Sequence, residues 1–448
     1  MVDIKPFAGL RFNNEKVSNF SAVIAPPYDI IPGQLKETLK KSSPFNIVNL
    51  TLPDENTEAS DRYLNAKIIL DKWIDDNILV FDSKNCFYLL EEGFIENGVL
   101  KSFTGFIGLL KVEQYGKGKV LRHEKTLSKP KEDRLKLLTA CRTNFEFIYT
   151  IYNDSGNGFT PLIENIKKGD TLLCTEALYD KTLKFKLWKI SDDNIIKEIV
   201  DKMKTKTLLI ADGHHRYETS RLYREESLIK NSNADADVAG ANTAGMAHLP
   251  EDYVLCLFVS SGQKDIAIHP THRLIRFNEE LKPAELKEKI GKYFDIEPLE
   301  ASADEINKKM SAAKEAKQKS ICICLKSGEC YFTVLKKDLE TIYDESGISA
   351  QNFNDMFEYL DVNILHKLLL AVLFKDYSMQ DIKFVHTTGE VFENLNDPAE
   401  PYHAGFILNA PGIDTVEKLS LEEMIMPQKS TYFFPKPCSG LVLYKFEK

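Results

Sequence analysis

Five consecutive residues, Asp212, Gly213, His214, His215 and Arg216, carry the densest chemistry in the chain, within the stretch KTLLIADGHHRYETSRLYREE (Lys206–Glu226). Thr207–Ile210 is a short apolar run of β character, and Arg216–Glu226 has helical composition with Tyr217, Leu222 and Tyr223 available for packing. The pattern predicts a strand that runs into a tight turn, which then opens a helix. The first peptide N–H groups of a helix lack internal partners and sit at the positive end of its dipole. Gly213 allows a positive φ and a close approach of backbone to a ligand. Backbone donors, a guanidinium and two imidazoles at a helix start suit a phosphate, with Gly213, His214 and Arg216 as binding candidates and Asp212 and His215 as catalytic ones. Asp212 could cap the helix or hold a metal ion that rides on the phosphates. The plainer alternative is an aspartate cap followed by ordinary turn histidines. Two histidines and an arginine directly after the turn favour the functional reading.

Other stretches offer parts for such a site. Pro26-Pro27 fixes an extended backbone before Tyr28 and Asp29, which suits a rigid pocket-lining loop or a simple turn. His123 and Glu124 follow the predicted strand Lys119–Leu121, and a helix entry follows from Ser128 with Lys129, Lys131 and Arg134. Glu124 reads as a general base for an attacking hydroxyl or as a surface partner for a neighbouring cation. Arg142 ends that helix and could contact anion or substrate. His269 and His272 have a spacing compatible with a metal pair, but no Cys or acidic cluster lies nearby in sequence. His272 and Arg273 are therefore assigned to the anion pocket. Lys429 and Ser430, after Pro427, suit phosphate or carboxylate recognition, with a polar surface turn as the alternative. Walker-loop glycines and the protein-kinase HRD and DFG elements are missing from the sequence.

ADGHHRYET resembles the signature of domain-of-unknown-function family 1015. IAPPYDII (Ile24–Ile31), RHEKT (Arg122–Thr126), HPTHRL (His269–Leu274), LDVNILH (Leu360–His366) and MPQKSTYFFPK (Met426–Lys436) resemble the same family's landmarks. The DGHHR core is similar to the phosphate-binding motif of free-serine kinases, which share the fold of partition protein B and sulfiredoxin. The resemblance implies a ParB/sulfiredoxin-like nucleotide-binding core and a kinase that phosphorylates free L-serine to O-phosphoserine. It implies ATP or ADP as donor and Mg²⁺ as cofactor. Under it Glu124 becomes the base, and Tyr28, Asp29, His123 and Arg142 become substrate-binding candidates. His272, Arg273, Lys429 and Ser430 join the nucleotide-binding set. The rival readings are a metal-dependent phosphohydrolase or nuclease, and a regulator that binds nucleotide without chemistry.

These residues need elements to hold them. The sequence predicts a mixed α/β protein in four parts: 1–152 with the APPYD and RHEKT motifs, 153–277 with the ADGHHR core, an α+β insert at 278–345, and 346–448 with the MPQKST motif. Ser60–Asn77 has helical spacing, with Tyr63, Leu64, Ile68, Leu70 and Trp73 as its apolar stripe. Cys86–Leu90 and Leu100–Leu110 read as strands about a Glu96-Asn97-Gly98 turn. Asn231–His248 reads as a mobile loop and Phe357–Lys375 as an apolar helix. Asp381 reads as a turn or cap residue. The 448 residues carry a net charge of −9, which argues against broad nucleic-acid binding. Eight cysteines without a CxxC pair, no signal-like N-terminus and no membrane-length apolar run predict a cytoplasmic protein with reduced thiols. The expected partners are a small-molecule substrate and a nucleotide, with no nucleic acid and no membrane; a homodimer is compatible with the sequence.

Overall fold

The computed structural model describes residues 1–55, 61–96, 98–126, 128–154, 156, 158–236, 249–349 and 353–446. The chain forms two compact units. The first comprises Met1–Arg122, Thr126–Ile266 and Pro435–Lys448, and the second His123–Lys125 and Ala267–Phe434.

The first unit is built on a nine-stranded mixed sheet. In spatial order its main path runs Val120–Leu121, Leu208–Asp212, Ile148–Tyr152, Tyr253–Ser260, Val99–Lys111, Phe87–Glu96, Lys184–Ile190 and Leu173–Glu176, and Ile4–Lys5 pairs with Val99–Lys111. Every residue of Tyr253–Ser260 is buried. A strand covered on both faces requires the continuous apolar run that the sequence shows there. One core packs Phe87, Leu89, Phe106, Leu208, Ile210 and Tyr217. A separate cluster gathers Leu10, Phe12, Leu39, Ile47, Leu70 and Trp73.

The second unit carries a six-stranded sheet whose pairings are all antiparallel. Its order is Phe294–Leu299, Cys330–Leu335, Ser320–Leu325, Ala404–Ile407, His272–Phe277 and Met379–Val385. Cys322 and Cys324 alternate onto one buried face, as their spacing predicts. Ala267–His269 pairs separately with Tyr432–Phe434.

Mixed α/β architecture follows the sequence expectation, but several local expectations do not hold. The boundary between 152 and 153 would cut one sheet, because Ile148–Tyr152 pairs with both Leu208–Asp212 and Tyr253–Ser260. Likewise, 278–345 is no separate insert: Ser320–Leu325 pairs with Ala404–Ile407 in the second sheet. In the helix Arg62–Asp75, Leu64 and Ile68 are exposed, and Ala66, Leu70 and Trp73 form the buried face. The buried stripe is therefore narrower than the apolar one. Asp381 lies inside the strand Met379–Val385. The apolar stretch after Phe357 winds as Asp361–Asn363 followed by a π-helical Ile364–Leu373. The helix that begins at His214 continues to Ala236, through the start of the expected loop, and 237–248 lie outside the described residues. Asn97 of the expected hairpin turn also lies outside them. Among the described residues no helix is long and apolar enough to cross a membrane.

Candidate functional site

In the first unit the expected junction forms. Leu208–Asp212 ends at Gly213, which has φ +95°, and the helix His214–Ala236 begins at the next residue. Only glycine adopts that φ without strain, and a Cβ there would stand 3.3 Å from the Arg216 guanidinium. The turn therefore brings the Arg216 side chain back over its own glycine. Arg216 donates to the Phe147 carbonyl at 2.6 Å and pairs with Oδ2 of Asp212. A second carboxylate, Glu146, lies 3.8 Å from the same guanidinium. The other Asp212 oxygen, Oδ1, meets Nζ of Lys436 at 2.7 Å, and Lys436 also holds Asp29 at 2.8 Å. Glu146 accepts from the Tyr28 backbone N–H at 2.8 Å and from Ser439 Oγ at 3.0 Å.

Asp29, Glu146 and Asp212 thus surround Arg216 and Lys436. Burial alone would push both cations toward deprotonation, but the neighbouring carboxylates outweigh it and hold both above their ordinary ranges. Two cations against three carboxylates leave the cluster with one negative charge. Tyr28 packs under the Arg134 guanidinium, 4.1 Å from the ring centroid, and burial raises its hydroxyl to about 12. His214 is buried and His215 half-buried on the first helical turn. One turn further, Glu218 accepts from Thr126 at 2.6 Å and Lys131 at 3.0 Å, with Arg122 3.6 Å away. Arg142 takes a left-handed φ of +48° directly after the helix Ser128–Cys141.

The remaining predicted residues belong to the second unit. There RHEKT and MPQKST meet: Glu124 bridges to Met426, and the Met426 N–H donates to the His123 carbonyl at 2.9 Å. His123 Nε2 lies 2.7 Å from Thr431 Oγ1, which lies 3.4 Å from Glu124 Oε1. Arg273 is buried and donates to the carbonyls of Thr271 and, at 2.9 Å, Lys429. Burial brings its guanidinium down to about 10, against the pull of Glu124 and Asp361. His272 is also buried, and its Nδ1 accepts from the Leu408 N–H at 3.3 Å. Burial, with Arg273 and His386 beside it, lowers its imidazole to about 3, so it is neutral at pH 7. Ser430 Oγ donates to the Pro427 carbonyl at 2.6 Å.

Sequence reasoning missed Glu146 and gave Lys436 no role. The available signal for Glu146 was one charge inside the apolar run Phe145–Tyr152. Lys436 was marked only by its flanking prolines. The metal expected at Asp212 meets a carboxylate whose two oxygens are already engaged by cations. Among the described residues no group of three His, Cys, Asp or Glu side chains could hold a metal ion by itself.

A model of the family described as protein of unknown function (DUF1015) matches residues 4–363. No protein of curated function matches the sequence. Similar solved structures include a free serine kinase variant in complex with ADP, at 9% identity and TM-score 0.31, covering 70% of this chain and 84% of that one. They also include SbnI with C-terminal truncation from Staphylococcus aureus, at 8% identity and TM-score 0.32, covering 75% of this chain and 86% of that one. A conserved hypothetical protein from Pyrococcus furiosus is similar at 9% identity and TM-score 0.29, over 70% of this chain and 87% of that one.

Proposed function

The chain belongs to the DUF1015 family, and on that footing we propose that it is a nucleotide-dependent phosphotransferase whose acceptor is a small-molecule hydroxyl, with free L-serine as the acceptor that the DGHHR resemblance implies. The observation that carries this reading is Asp212, at a strand–glycine–helix junction, holding a cation on each oxygen, the half-buried Arg216 and the buried Lys436. Phosphoryl transfer asks a protein mainly for positioning and charge neutralisation. Arg216 and Lys436 supply fixed positive charge, and the helix start supplies backbone donors. The half-buried His215 is assigned to a phosphoryl oxygen. A ParB/sulfiredoxin-like core around this junction is part of the same reading.

The negative balance of the cluster bears on the cofactor. Phosphates entering alone would add charge to a site already negative by one. Asp29 and Asp212 are hard oxygen donors of the kind that hold Mg²⁺ together with substrate phosphates and water. Those two residues would hold the ion, which when bound neutralises phosphate charge. Their present partners, Lys436 and Arg216, would then face the phosphates. Glu124 keeps the proposed role of proton acceptor on chemical grounds, as a carboxylate.

The test is phosphorus NMR of the purified protein with L-serine, Mg²⁺ and either ATP or ADP. The expected result is an O-phosphoserine resonance with one donor, lost in His215→Ala and in Glu124→Gln. Inorganic phosphate without phosphoserine would replace the kinase by a hydrolase. Nucleotide binding with no turnover of either donor would replace it by a regulator.

A further inference from the structure

Three stretches of the second unit converge on one cavity that the reading above does not use. Thr271 and Arg273, the segment Leu360–Val362, and Ser430 all line it. Its volume of about 680 Å³ lies within the roughly 300–1,000 Å³ usual for small-molecule sites.

Two of the lining residues carry a buried polar atom with no hydrogen-bond partner. Arg273 is 1% exposed; its two terminal nitrogens donate to backbone carbonyls, and its Nε has no partner. Thr271 is 2% exposed, and its Oγ1 has none either. Buried polar atoms are nearly always satisfied, and these two open ones belong to residues that line the same cavity. The helix Ile413–Leu421 starts at the same cavity, with Gly412 and Thr415 in the lining. Gly412 is its cap and brings no side chain over the first N–H groups. Asp414, in that first turn, is not part of the lining.

Charge points the same way. Lys314, Lys317 and Lys319 join Arg273 around the cavity, against Asp355 and Asp361. Four cations and two carboxylates leave two positive charges, in a chain whose net charge is −9. Lys314 is tied to the Ala410 carbonyl at 2.9 Å, and Lys319 lies 5.7 Å from the Tyr359 ring centroid. A dianion balances this set, whereas a single carboxylate would leave it half neutralised. Met356, Tyr359 and Leu360 add apolar and aromatic surface, which a bare inorganic ion would leave unused.

We infer that this cavity binds a phosphorylated small organic molecule, its phosphate held by Arg273, Thr271 and the start of the Ile413 helix, and its carbon skeleton lying against Met356 and Tyr359. The inference rests on the second unit alone and stands or falls separately from the phosphotransferase reading.

The test is amide hydrogen exchange of the full chain with and without inorganic pyrophosphate, paired with calorimetry. Pyrophosphate should protect the amides of Gly412–Val416 in the unmodified protein and equally in His215→Ala. Lys317→Glu combined with Lys319→Glu should abolish that protection and weaken binding on the order of tenfold or more. Thr271→Val, which removes an unpartnered hydroxyl at nearly constant shape, should weaken binding without lowering the melting temperature. Absence of pyrophosphate binding would overturn the inference. So would protection confined to 213–217, or an affinity unchanged by both charge reversals.

Discussion

Replacing Lys436 with methionine isolates the central ion cluster. The Lys436 side chain is 6% exposed and holds Asp29 at 2.8 Å and Asp212 at 2.7 Å. Methionine keeps most of the apolar stem, so the perturbation is mainly the lost ammonium. Removing one partner of a buried ion pair costs about 3–5 kcal/mol, because the charge left behind stays uncompensated. Two features favour the lower end. Asp212 retains Arg216 on its other oxygen, and Asp29, with 28% of its side chain exposed, can turn to water. The expected loss is therefore about 3 kcal/mol, or roughly 6–12 °C in melting temperature for a unit of this size. At pH 7 the measurement reads the whole contribution. Lys436 is raised above the ordinary lysine value of 10.5, so its stabilisation is complete below that value and declines only as pH rises beyond it. The decisive comparison repeats the substitution in Asp29→Asn/Asp212→Asn. There Lys436 is a buried cation without its two carboxylates, and its removal should raise stability. Urea unfolding followed by far-UV circular dichroism on the four proteins gives both numbers. A cost below about 1 kcal/mol in the unmodified background, or the same cost in both, would refute the claim that pairing holds this cluster together.

Two further expectations concern buried titratable groups. His272 is lowered from 6.5 to about 3, so only the unfolded chain takes up its proton between those values. Stability should fall as pH drops below about 6.5, by about 2–3 kcal/mol at pH 4.5. His272→Gln, which keeps an acceptor for the Leu408 N–H, should flatten that limb in denaturant titrations, and an unchanged slope would count against it. Glu92 is fully buried, neither of its oxygens has a hydrogen-bond partner, and burial raises its carboxyl well above the ordinary range. The folded state then binds the extra proton, and stability is lost as pH rises above 4.5. Glu92→Leu should stabilise the protein by about 1–3 kcal/mol at pH 7 and by less at pH 4, and destabilisation at pH 7 would show that the carboxyl has a role packing does not reveal.

Where the chain carries a local rule, the sequence was enough. The Asp212–Arg216 turn was legible because an apolar β run, a glycine and a helical segment follow one another within a few residues, and each constrains the next. Tyr253–Ser260 likewise shows the unbroken apolar composition that suits a strand buried on both faces. The second unit's hairpin, Ser320–Leu325 with Cys330–Leu335, is joined through Lys326-Ser327-Gly328, a turn sequence of the same local kind. The exposed side of Arg62–Asp75 was not legible, because Leu64 and Ile68 satisfy helical spacing and only tertiary packing decides which part of a stripe is covered.

The partners of the site were hidden for a different reason. Lys436 reaches Asp29 across 407 residues, and Glu146 reaches Ser439 across 293. A charged residue in sequence announces that it needs a counter-charge, but nothing about which one. That choice is made when Pro435–Lys448 returns to the first unit. Ser439 then forms a bridge with Ala25 and Tyr444 pairs with Asn144. The backbone pairing fixes where the Lys436 side chain begins, and the two carboxylates fix where its ammonium ends. This order of causes also explains why the sequence assigned a role to Lys429 and Ser430 and none to Lys436. Their polar types suggested binding in isolation, whereas Lys436, held between two prolines, acquires its chemistry only from residues that local spacing could not place beside it.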